Sequence, residues 1–144
     1  MIKMIHSYWA YIVLIVLIFA VVNAFIGLKA NKKFEAKDLR IALFALIASH
    51  IQLIFGFVAY YFSPFYDTMR AAGMGEVMKN SDLRKVLIEH PLVGIIAITL
   101  ITIGFSKHKK KTTDTSKFKT IAVFYTIALI LILSRIPWSL WFSN

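Results

Sequence analysis

The chain has 144 residues, no cysteine and a formal net charge of +10. Hydrophobic residues make up 59% of it and its mean hydropathy is +0.72, far more apolar surface than a water-soluble domain of this length needs. Without cysteine there can be no disulfide, thiolate metal site, iron–sulfur cluster or covalently attached c-type haem. The positive charge does not point to nucleic acid, because the basic residues cluster in short loops between apolar runs, where they act as topology signals.

The first apolar run spans about residues 8–28 and predicts a membrane helix. His6 and Ser7 precede it, and Tyr8, Trp9 and Tyr11 form an aromatic anchor at its start. Val22-Asn23-Ala24 weakly resembles a signal-peptide cleavage site. However, only Lys3 precedes the run, while Lys29, Lys32 and Lys33 follow it, so the expectation is a retained span with its second end cytoplasmic. The following loop also carries Lys37 and Arg40, and Asp38 is placed to cap the next helix.

The second run, about 41–62, has no formal charge. Ala42, Ala45, Ser49, Gln52, Gly56 and Ala59 recur at spacings of three and four, a face that lets another helix approach closely. His50 lies one position beside that face, near mid-membrane, where hydrocarbon offers no hydrogen bond. Tyr60, Tyr61, Phe65 and Tyr66 form an aromatic belt around Pro64.

Between the second and third runs, Gly73-Met74-Gly75 reads as a break and Ser81 as a helix N-cap. The third span is expected over about 82–106, with Pro91 kinking it unless the helix restarts there. His90, Gly94, Ala97, Ile101 and Gly104 share one narrow face. The loop 107–119 holds six lysines and His108 and reads as a solvated segment near anionic lipid. The last span, about 120–142, is interrupted by Ser134 and Arg135, with Pro137, Trp138 and Trp141 at its outer end.

Eleven of the seventeen basic residues fall in the first and third loops. This predicts four spans with both termini outside the cytoplasm. The predicted fold class is an all-α membrane protein, a single antiparallel four-helix transmembrane bundle over residues 1–144.

In that topology His6, His90 and Arg135 lie in the outer half and His50 near the midplane. At about 1.5 Å per residue, His50 and His90 differ in height by roughly 8 Å. Two imidazoles on facing helices can hold a b-type haem in an apolar bundle. An outer arginine can pair with the haem propionates. The cofactor expectation is therefore haem b, with His50 and His90 as iron ligands, His6 as an alternate ligand and Arg135 as the propionate partner. The plainer alternative for each is structural: His50 and His90 as interhelical hydrogen-bonding groups, His6 as an interfacial residue, Arg135 snorkelling to lipid phosphate.

HSYW in the first span, ALIASHIQLIFGFVAYYFSP in the second, LIEHPLVGIIAITLITIG in the third and SRIPW in the fourth resemble a family of small four-span, cytochrome b-like membrane proteins of Bacteroidetes-type bacteria. The resemblance spans nearly the whole chain and implies an inner-membrane protein. His6, His50, His90 and Arg135 all fall within its segments. More distantly, the arrangement is similar to one half of haem A synthases. The chain lacks the histidine pairs at matched depths that a two-haem transmembrane carrier would need.

Two functions of different kind follow as expectations. One is a haem b-binding cytochrome-like protein that transfers electrons near the outer face, with a quinol or another membrane subunit as partner. The other is a non-catalytic structural or assembly subunit without cofactor. A small transporter or metal-handling protein, with His6 and His90 as an entry site, fits less well, since no span is plainly broken at mid-membrane or carries a chain of charged groups. Hydrolytic chemistry is excluded by the scattered carboxylates and the absence of a Ser-His-Asp or metalloprotease pattern.

Overall fold

The computed structural model describes residues 1–138. Four of its helices are long and apolar enough to cross a membrane: Ile2–Lys29, Ala36–Tyr61, Ser81–His108 and Asp114–Arg135. We refer to them as the first to fourth spans. The first packs on the second and fourth, and the third packs on the same two, so the bundle closes as a ring in chain order. The short connections make neighbours antiparallel. The Phe34 amide donates to Asp114 Oδ1 at 2.9 Å, which brings the first and third loops together at one lysine-rich end.

Local chemistry sets the helix ends. Asp38 lies at the third position of the second span and its Oδ2 accepts from the Glu35 amide at 2.9 Å, so it caps that helix as expected. Its Oδ1 accepts from Asn23 Nδ2 at 2.9 Å, which ties the first span to the second where Asp38 is buried. At the start of the third span the cap is Asn80 rather than Ser81: Asn80 is extended, and its Oδ1 accepts from the Asp82 and Leu83 amides. Thr113 caps the fourth span, whose helix begins six residues before the apolar run does. That helix ends at Arg135 because Ile136, ahead of Pro137, is held extended. The expected continuation to residue 142 and the Trp141 anchor lie outside the described residues.

Short helices Pro64–Ala72 and Met74–Lys79 connect the second and third spans, broken at Gly73, which has φ of 90°. At Pro91 the α-helix restarts, with His90 as its first residue and Pro91 in its first turn. Ahead of it the chain widens into a π-helical turn over Lys85–Glu89, in which the His90 amide reaches back five residues to the Lys85 carbonyl. Proline has no N–H for the Leu87 carbonyl, and the Tyr60 hydroxyl of the second span donates to it at 3.0 Å.

The core runs along the faces of small residues. Ala42, Ala45 and Ser49 of the second span are buried, as are Ala97, Ile101 and Gly104 of the third. Leu17, Ala20 and Ala24 of the first span meet Phe118, Ala122 and Tyr125 of the fourth. The Tyr125 hydroxyl crosses the core to donate to the Ala42 carbonyl at 2.8 Å. His108 is not a solvated loop residue. It closes the third span, buried among the rings of Phe34 and Phe105, and its Nδ1 donates to the Phe105 carbonyl. The loop's charge lies on its lysines, so the imidazole face is free to pack.

A Cβ added at Gly104 would stand 2.4 Å from Phe124 Cβ, an atom that cannot rotate away, whereas one added at Gly94 meets nothing within 4 Å. Gly104→Ala is expected to destabilise the bundle by about 1–3 kcal/mol through overpacking. Gly94→Ala is expected to stabilise it by up to about 1 kcal/mol through helix propensity. Thermal unfolding followed by circular dichroism in detergent checks both. Equal behaviour of the two variants would contradict this packing.

Candidate functional site

The end of the bundle away from the lysine-rich loops collects the polar groups of all four spans. His6 belongs to the first helix proper, which starts at Ile2, rather than to a segment ahead of it. Its ring meets the ring of His90 edge-on, with centroids 6.2 Å apart. Gly56 of the second span makes this approach possible: a Cβ there would lie 3.3 Å from His6 Cε1. Gln52 sits one turn below, and its Nε2 donates to the His6 carbonyl at 3.0 Å. Trp9 Nε1 donates to the Ala48 carbonyl at 2.9 Å, fixing the rotation of the first span against the second.

His90 is oriented from the fourth span. Its Nδ1 donates to the Arg135 carbonyl at 3.1 Å, so Nε2 carries the lone pair. This is the arrangement that metal-bound imidazoles adopt, one nitrogen donating to a backbone carbonyl and the other left for the metal. His6 Nδ1 and Gln52 Oε1 are buried without a hydrogen-bond partner among the described residues. Because Gln52 already reaches the His6 backbone, one water between these two atoms would satisfy both.

Glu89 organises the charges above the histidines. Its Oε2 takes Arg84 Nε at 2.9 Å, and its Oε1 faces Arg135 Nε at 3.7 Å. Arg84 is further held by the Met78 carbonyl. Five residues separate Arg84 from Glu89, too many for one face of an α-helix, but the π turn brings them together. A cavity of about 270 Å³ opens beside them, lined by Lys85, Glu89, Arg135 and Trp138 among others. Sequence periodicity gives no sign of this ion pair, because it assumes 3.6 residues per turn throughout.

His50 stands apart from this cluster. Its Nε2 lies 2.9 Å from Thr102 Oγ1 on the third span, twelve residues from His90, about 18 Å along that helix. Counted on the second span, His50 is six residues below Gly56, the residue beside His6, or about 9 Å. Side chains lean toward the N-terminus of their own helix. Because the second and third spans run in opposite directions, the His50 ring leans toward the lysine-rich end and the His90 ring away from it. Counting Cα heights alone misses this divergence. The expected sharing of one iron by His50 and His90 therefore does not fit the structure.

His6 and His90 are brought together instead, with ring centroids 6.2 Å apart. Metal–imidazole bonds are about 2 Å long, so two rings sharing one metal have centroids about 6 Å apart. The open space beside Gly94, one turn from His90, offers room next to the rings. Arg135 is half exposed at the rim of the cluster, suited to an anionic group. Among the described residues, no three His, Cys, Asp or Glu side chains converge on one point.

His90 carries its proton on Nδ1, facing the Arg135 carbonyl, and His50 carries its proton on Nε2 as long as the Thr102 hydroxyl gives its single proton to the Ile98 carbonyl. Nitrogen-15 NMR of imidazole-labelled, haem-free protein is expected to show this pair, and one tautomer common to both would contradict it. The chain matches no family model, and no curated protein or solved structure compared with it is detectably similar.

Proposed function

We propose that the chain is a haem b-binding, cytochrome-like protein of a bacterial inner membrane, with both termini on the non-cytoplasmic side, His6 and His90 as iron ligands and electron transfer near the outer face. The observation that carries this reading is the His6–His90 contact, with His90 held by a backbone carbonyl so that Nε2 is free. Haem, when bound, supplies one-electron redox chemistry. The chain's own residues do the rest. The Arg135 carbonyl fixes the His90 tautomer and ring direction. Gly56 leaves space for the His6 ring. The Arg135 guanidinium, which also faces Glu89 and donates to the Ser134 carbonyl, is half exposed and would offer its charge to a propionate, while Arg84 is held by Glu89 and the Met78 carbonyl. A quinol or another membrane subunit would be the redox partner, and the lipid bilayer is the chain's surroundings. The proposal agrees with the cytochrome b-like resemblance but moves the second ligand from His50 to His6.

A second reading is a non-catalytic structural or assembly subunit. It is favoured by the bonds that Trp9, Gln52, His50, Tyr60 and Tyr125 make between spans, which act as interhelical connections without any cofactor. A reduced-minus-oxidised spectrum with pyridine haemochrome quantitation separates the two. The cytochrome reading expects a b-type spectrum near one haem per chain, lost in His6→Ala and His90→Ala and retained in His50→Ala. Folded protein expressed with ample haem that gives a flat spectrum, and that co-purifies with a larger complex, would establish the second reading instead.

A further inference from the structure

The second span carries a groove of about 310 Å³ on its outward face, near the middle of the helix. Leu46, Ile47, Ile51 and Ile54 form its walls, and His50 is its one polar side chain. Thr102 biases the state of that imidazole. While the Thr102 hydroxyl keeps its bond to the Ile98 carbonyl at 2.8 Å it accepts from His50 Nε2, which leaves the lone pair on Nδ1. His50 lies fourteen residues from one end of its helix and eleven from the other, about 16 Å or more from either. An unmet acceptor at that depth is costly, and neither acyl chains nor phospholipid headgroups can supply a donor there.

We propose that this groove binds a membrane-soluble quinol, with one ring hydroxyl donating to His50 Nδ1 and the flat ring lying among Leu46, Ile47, Ile51 and Ile54. A quinol dissolves at this depth, carries a proton to donate and has the apolar faces that the groove walls accept. Its oxidised form, the quinone, has carbonyls that only accept, and it meets a donor only if the imidazole moves its proton to Nδ1 at the cost of the Thr102–Ile98 bond. The site therefore selects the reduced form. This inference uses neither His6 nor His90 and stands independently of the haem proposal.

The test is equilibrium binding of a short-tailed naphthoquinol, and separately its quinone, to the full chain in phosphatidylethanolamine–phosphatidylglycerol nanodiscs under anaerobic conditions. The quinol is expected to bind about tenfold more tightly than the quinone, the size of one neutral hydrogen bond. His50→Phe should weaken quinol binding to the quinone level. Ile54→Trp, at a position 61% exposed and so tolerant of bulk, should weaken both by filling the groove. Thr102→Val should abolish the preference while binding persists, because the imidazole is then free to present either nitrogen. Equal binding of quinol and quinone by the native chain would overturn the proposal. So would undiminished quinol affinity in a His50→Phe protein with native helicity and size. So would a partner subunit that cross-links at positions 47 and 54 with no quinol bound. The absorbance spectrum of haem plays no part in this readout, so the two proposals fail separately.

Discussion

Proline at position 91 has no N–H to give, and in hydrocarbon the carbonyl it leaves unmet must find another donor. The Tyr60 hydroxyl supplies one to Leu87. The backbone ahead of Pro91 is free to widen into a π turn, and this single adjustment arranges the polar end of the bundle. It puts Arg84 and Glu89 on one side of the helix. It turns His90 toward the fourth span, where the Arg135 carbonyl receives its Nδ1 proton. It also ties the third span to the second through Tyr60. A regular α-helix through this segment would separate Arg84 from Glu89 and point His90 elsewhere.

The same demand for satisfied polar groups accounts for much of the packing between spans. Apolar side chains facing lipid give no preference for one helix neighbour over another, so close approach and hydrogen bonds decide which faces meet. Glycine and alanine provide the approach at Gly27, Gly56 and Gly104. Trp9, Asn23, Gln52 and Tyr125 provide the bonds, each reaching a carbonyl or carboxylate on another span. Exposed side chains such as Ile15, Phe19, Phe44 and Ile54 form the outer, lipid-facing surface. The bundle thus has an apolar exterior, a core of small residues and aromatic rings, and a polar cluster at one end.

Three of the four histidines use the same device. His50, His90 and His108 each commit one nitrogen to an oxygen on a helix, and in doing so decide what the other nitrogen can do. For His90 the free nitrogen belongs to a cluster that includes a second imidazole. For His50 it belongs to an apolar groove. His108 is enclosed by Phe34 and Phe105 and holds the lysine-rich end together. His6 differs in that its buried Nδ1 has no partner among the described residues, which leaves Gln52 and a water as its natural completion.

Much of the architecture was legible in the chain itself. Four apolar runs separated by lysine-rich loops dictate four spanning helices, because only a helix satisfies its own backbone in hydrocarbon. Small residues at spacings of three and four marked the buried faces of the second and third spans, since that spacing is a property of the helix alone. The break at Gly73 and the capping role of Asp38 were likewise local. Which histidines meet was not local. It depended on the opposite lean of side chains on antiparallel helices, which adds to the height difference between His50 and His90 and carries their rings apart. It depended also on the π turn, which no 3.6-residue period contains, and on Gly56, which lets His6 in from the first span. The sequence alone determined that imidazoles would lie inside a membrane bundle. Only the tertiary structure decided which of them face each other, because helix direction, stagger and the proton on each ring nitrogen are set by contacts between spans.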